Sequence, residues 1–189
     1  MSFPFWKDYR GANKHTKSME RYMDVEARFL HADILIERGE IVEAKDILME
    51  ILEDEPDFGR AHNHVGWLYR AKLSDFGRAE YHLRLAVKFA PEYPGAYLNY
   101  GNLLIELGEF EKLNELAERA IKVRGIHKPS VLRFMAVVAE MKGETIEAIK
   151  LLRNAKDESL DEGTANYMKS EMRRVKGKMT TLRRIAVMF

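Results

Sequence analysis

The sequence predicts an all-α solenoid of stacked helix pairs, and three observations carry that prediction. A small turn residue recurs at Gly39, Ser74, Gly108 and Gly143, spaced 35, 34 and 35 residues apart. Five residues after each stands Ala44, Ala79, Leu113 or Ala148; further small or aliphatic sites recur at Ile51, Ala86, Ala120 and Ala155, and at Ala32, Gly66, Gly101 and Ala136. The composition is 32% charged and 46% apolar, with only 12 Gly and 5 Pro in 189 residues, as expected of a helical protein. A fixed period of this length marks an array in which each unit buries its apolar face only by stacking on its neighbours. Such an architecture points to binding rather than catalysis.

The chain opens on an aromatic-rich arm, residues 1–16, that lacks periodicity and holds Phe3, Phe5, Trp6 and Tyr9. From about Ser18 a helix is expected to run through Glu37, carrying Met19, Tyr22, Met23, Phe29, Leu30 and Leu35. Units then follow at about 25–58, 59–93, 94–127 and 129–162. In the second, Ala61, Val65, Leu68 and Tyr69 recur at helical spacing before the turn at Leu73–Gly77. Ala79, Leu83, Ala86 and Val87 form the partner stripe, which Pro91 ends. In the third, Tyr97, Tyr100, Gly101 and Leu104 precede Gly108, and Leu113, Leu116, Ala117, Ala120 and Ile121 follow it. Small residues at the crossing sites let two helices approach closely. Residues 163–189 predict a basic helix with an apolar seam at Met168, Met172, Val175, Met179, Leu182 and Ala186.

This pattern resembles the tetratricopeptide repeat (TPR) family, which pairs a small residue in its first helix with alanines in its second and places a proline near the end of each unit. Pro56 and Pro91 match that proline, whereas Gly125 and Leu160 replace it in the last two units. Leu113 stands where alanine is usual, and Thr145 where an aromatic is usual. The resemblance covers about three quarters of the chain. It implies a right-handed superhelix of about four TPR pairs, capped by the C-terminal helix, with a concave face lined by the first helix of each unit. Carried onto this sequence, that face holds Phe29, Asp33, Arg60, Asn63, His64, Trp67, Arg70, Leu98, Asn99, Asn102, Ile105, Arg133, Phe134 and Val137.

The resemblance implies a non-enzymatic adaptor that holds a peptide or helix of another protein in this groove. Amides at Asn63, Asn99 and Asn102 suit a peptide backbone, Trp67 and Phe134 suit apolar anchors, and Arg60, Arg70 and Arg133 suit carboxylates. The clamp with which some members hold a chaperone's C-terminal carboxylate is not matched: Asn63, Trp67, Asn99, Ser130 and Phe134 stand at its positions, and Asn99 alone fits. A second reading is a structural subunit or homo-oligomer, joined through Phe3, Phe5, Trp6 and Tyr9 or through Met172, Met179 and Leu182. A third is a chaperone for an exported apolar protein.

Net charge is +1 overall, but residues 163–189 carry seven Lys and Arg against one acid, leaving a mildly acidic body. Arg173, Arg174, Lys176, Lys178, Arg183 and Arg184 could attract nucleic acid or an anionic membrane. The absence of interleaved aromatics and of any nucleic-acid fold signature argues against it. With no cysteine, disulfides and thiolate chemistry are excluded. His62 and His64 point to different faces, while His15, His31, His82 and His127 lack metal-ligand spacing, so neither metal nor cofactor is expected. Asp75-Phe76-Gly77 matches a kinase triplet by letter only, with no phosphate loop around it, and no catalytic residue is expected. The start of the chain shows no signal peptide, and a cytoplasmic protein is the expectation.

Overall fold

The computed structural model describes residues 9–179, with side chains from residue 19 onward. Nine helices lie among the described residues: α1 (Tyr9–Arg38), α2 (Ile41–Asp54), α3 (Gly59–Ala71), α4 (Phe76–Phe89), α5 (Pro94–Leu107), α6 (Phe110–Ala120), α7 (Lys128–Met141), α8 (Thr145–Asp157) and α9 (Glu162–Gly177). None of them is long and apolar enough to cross a membrane. Consecutive helices pack in antiparallel pairs, and α3, α5, α7 and α9 also touch one another in series. The second helices make no comparable contact with each other, so the stack closes on the side of the first helices, which line the concave face.

The four helix pairs form because the periodic small residues become contact points. Ala44, Ala79, Leu113 and Ala148 are all fully buried, as are Ile51, Ala86, Ala120 and Ala155. Gly66 and Gly101 mark the tightest approaches. A Cβ at Gly66 would lie 2.6 Å from Leu83, and one at Gly101 would lie 2.3 Å from the ring of Phe134. A methyl group there would force the neighbouring helix outward, at a cost of about 1–3 kcal/mol.

The turn positions are equally literal. Gly39, Ser74, Gly108 and Gly143 all adopt positive φ, at 80°, 52°, 71° and 79°. At the three glycines the next residue donates back into the preceding helix, Glu40 to Leu35, Glu109 to Leu104 and Glu144 to Ala139, which satisfies carbonyls at the helix end. Ser74 accepts a strained backbone, and its successor Asp75 caps α4 by accepting the Arg78 N–H at 3.0 Å.

The structure departs from the sequence reading at both ends. α1 begins at Tyr9, well before Ser18, so the second half of the expected arm is helical. Propagation from the packed part supplies one hydrogen bond per added residue. Phe3, Phe5 and Trp6 lie outside the described residues, and the side chain of Tyr9 is likewise not described. At the other end Asp161 accepts the Thr164 N–H at 2.7 Å and starts α9 cleanly, an Asp-x-x-Thr cap within the segment that gave no clear boundary. Met168, Val175 and Met179 are buried, with Met172 beside them, against Ala136, Ala139, Ala148, Ile149, Leu152 and Ala155. Met172 and Met179 are therefore removed from the assembly contacts expected of them: their seam covers the last unit of its own chain. Leu182 falls outside the described residues.

One core pair was not legible from spacing. His62 on α3 and His82 on α4 meet with their Nδ1 atoms 2.9 Å apart, and His62 Nε2 lies 3.0 Å from the Pro56 carbonyl. That carbonyl requires the proton on His62 Nε2, which leaves His62 Nδ1 to accept from His82 Nδ1–H. Both rings are thus held neutral. Burial depresses the basicity of His62, while burial and then the neighbouring His62 push His82 down to about 4.

Replacing Ser74 with Gly should relieve the left-handed backbone and raise stability by about 1 kcal/mol. A melting temperature raised by roughly 2–4 °C would show it, and no change would mean that the serine is unstrained. The histidine pair makes stability pH-dependent with a defined sign. Folded pKa values lie below the unfolded value of about 6.5, so the contribution is complete above that pH and lost as pH falls toward 4. Denaturant titrations from pH 7 to pH 4 should show this slope, and it should flatten in a His62→Asn/His82→Asn variant.

Candidate functional site

The expected groove residues do lie along the first helices, but most of them are engaged with each other. Arg60 of α3 pairs with Glu26 of α1, and its guanidinium lies 4.9 Å from the ring centres of both Phe29 and Phe58. His64 places Nε2 2.8 Å from Asp33 and Nδ1 2.9 Å from the Arg60 carbonyl. Asn99 of α5 donates to Asn63 of α3 at 2.9 Å. Arg70 holds Glu106 through two parallel hydrogen bonds, 2.6 and 3.0 Å long. Arg133 of α7 donates to Asn102 of α5 at 2.6 Å. Arg174 of α9 grips Glu140 of α7 in the same bidentate manner, at 2.7 and 2.9 Å, and Lys178 adds a third bond at 2.7 Å.

These contacts form a polar ladder with one rung or more between each first helix and the next. Each rung satisfies a charge or amide that the stacking has partly desolvated. The electrostatic consequence is clearest at Glu140, whose carboxyl is held below the usual range by hydrogen bonds from Arg174 and then Lys178, against the opposing effect of burial. Arg174 is correspondingly held more firmly protonated by Glu140. The basic last helix therefore turns part of its charge inward, onto its own neighbour.

Two expected contact residues are corrected. Phe134 is 0% exposed: its ring fills the space left by Gly101, so it is a core residue and not an anchor for a partner. Asn63 is 3% exposed, with its side-chain oxygen occupied by Asn99, so it cannot offer an acceptor to a peptide. Trp67, Leu98, Asn102, Ile105 and Val137 are partly buried and keep some accessible surface on the concave face, the four apolar ones packed in part on the core. Lys72 lies 5.6 Å from the centre of the Trp67 ring. The open part of the face is thus an apolar strip with one amide, bordered by paired charges. Sequence reasoning missed the ladder partners Glu26, Glu106 and Glu140. The available signal was an opposite charge about one repeat away, as in Glu26–Arg60, Arg70–Glu106 and Glu140–Arg174. Among the described residues no group of three or more histidine and acidic side chains could hold a metal ion.

No family model and no curated protein matches the sequence. Solved structures do match the fold. The PilF protein of Pseudomonas aeruginosa superposes with a TM-score of 0.68 at 15% identity, covering 89% of this chain and 82% of that one. MamA from Desulfovibrio magneticus RS-1 gives 0.61 at 15% identity over 86% and 94%. A thermophilic TPR protein of Thermus thermophilus gives 0.58 at 17% identity over 83% and 84%. The chain therefore has the fold of an all-α TPR-type solenoid.

The ladder makes the cap depend on Glu140. Glu140→Gln should weaken the attachment of α9 by about 1 kcal/mol, or roughly fivefold faster amide exchange in that helix. Exchange in α3 and α4 should be unchanged. Equal acceleration throughout would show that Glu140 supports the whole array instead.

Proposed function

We propose that this protein is a non-enzymatic adaptor that holds a segment of another protein against the concave strip of Trp67, Leu98, Asn102, Ile105 and Val137. The observation that carries the reading is Trp67. It is a large aromatic on the face that the first helices line, packed in part on the core and left partly accessible. Large rigid aromatics at the centre of a contact face are the residues that most often dominate binding energy. The polar ladder supports the same reading in a different way. It fixes the spacing of the first helices before any partner arrives, so little ordering is needed on binding.

The partner that suits this strip is an extended or helical segment with apolar side chains for Trp67, Leu98 and Ile105. Asn102 retains its NH2 group for a backbone carbonyl, since its oxygen accepts from Arg133. Arg60, Arg70, His64 and Arg133 belong to the frame of the groove, each already paired. No reaction is assigned to the chain, because the paired groups stand in the roles of struts and none is poised beside an activating base.

Trp67→Ala should weaken capture of the partner at least tenfold at a temperature where the array is still folded, as expected of a central aromatic, while the melting temperature falls by several degrees because part of the ring packs on the core. The measurement is a mass-spectrometric pull-down with intact and substituted protein side by side. A partner retained at equal yield by Trp67→Ala would move the site away from the concave face.

A further inference from the structure

The two ends of the array are treated differently. The C-terminal end is covered by α9, whereas among the described residues nothing covers the corresponding face at the N-terminal end. Position by position, Ala27 and Ile34 of α1 correspond to Ala61 and Leu68 of α3, Ala96 and Leu103 of α5, and Val131 and Val138 of α7. The later six are buried against the preceding unit, whereas Ala27 is exposed and Ile34 is 38% exposed. Met19, Met23 and Leu30 continue the stripe at 63%, 62% and 60% exposure. All five fall within about 80° of arc on α1, on the side away from the core residues Val25, Phe29 and Ala32. Among the described residues no other unit stacks on this surface.

We propose that a second copy of this chain covers it, through antiparallel pairing of the two α1 helices about Ala27. The stripe is self-complementary in that register. Met23 lies four residues before Ala27 and Leu30 three after it, while Met19 lies eight before and Ile34 seven after. Antiparallel pairing therefore sets Met23 against Leu30 of the second copy and Met19 against Ile34. Ala27, the small residue, falls on the two-fold axis, where close approach is needed. Charge selects the same orientation. Along one edge of the stripe the N-terminal half carries Glu20 and Asp24, and the C-terminal half carries His31 and Arg38. An antiparallel two-fold sets this edge against its own copy in reverse order, which brings Asp24 opposite His31.

Pairing two such stripes buries on the order of 1,000 Å², near the lower bound for a specific interface. A dimer that dissociates on dilution is therefore expected.

The test uses the full chain, which contains no cysteine. Light scattering from about 1 to 100 µM should show a monomer giving way to a dimer, the range expected for an interface of this size. Leu30→Glu should keep the protein monomeric throughout with an unchanged melting temperature, since the side chain is already in water. On mild oxidation Ala27→Cys should form a disulfide-linked dimer. A mixture of Met19→Cys and Ile34→Cys should cross-link to each other, and Met19→Cys alone should not. A wild-type monomer at the highest concentration overturns the proposal, as does a dimer that survives Leu30→Glu. Self-cross-linking of Met19→Cys would indicate parallel helices and also overturn it. Loss of the dimer on deleting residues 180–189 would assign the stripe to the basic tail of the second copy and overturn it equally.

Discussion

How closely two helices can stack is set by the largest side chain at their crossing, and that limit governs this molecule. No single helix pair here can cover its own apolar face. Gly66 lets the two helices of one unit close by leaving room for Leu83, and Gly101 brings the next unit within contact distance by leaving room for Phe134. Everything on the concave side follows from that approach. Once α3, α5 and α7 are close enough for Phe134 to sit in the hollow at Gly101, the polar side chains on their inner edges are within hydrogen-bonding distance. The stacking has also taken part of their hydration, although Glu106, Arg174 and Lys178 keep one side in water. The ladder is a consequence of the stacking before it is a contributor to it.

The same reasoning explains why the groove is selective in what it leaves open. Most of the residues expected to meet a partner are joined in pairs or to acidic neighbours that lie about one repeat away. What remains uncommitted is apolar and modest in area, so in the adaptor proposed above the face would read the shape of an apolar segment more than its charge. Binding energy would then come from desolvating Trp67 and its neighbours, with the paired charges acting as a rim.

The fold was legible because its determinants recur. A turn residue with positive φ, a small crossing residue and a buried alanine each return in successive units, and chance does not maintain such a register. The site was legible only in outline. Asn99 and Phe134 occupy equivalent positions in successive units, and helical phase alone places both on the inner face. Phe134 is withdrawn because its ring is large enough to fill the gap at Gly101, which is a fact about the neighbouring unit and not about its own helix. Asn63 is withdrawn because Asn99, a unit away, reaches it. The His62–His82 contact escaped notice for a similar reason: twenty residues separate the pair, and only the hairpin of α3 and α4 brings them together.

The apolar interior is divided in two, and the division passes through α7. Val131, Phe134 and Val138 belong to the body formed with the earlier helices, while Ala136 and Ala139 belong to the smaller cluster with α8 and α9. One helix thus serves as the joint between a repeating body and a terminator. Whole units inserted ahead of α7 would meet the same kind of surface that α5 and α6 present now, and every contact between α7, α8 and α9 would be preserved. The last three helices are in this sense a transferable end-piece, able to close an array of any length whose final unit offers a glycine to a phenylalanine.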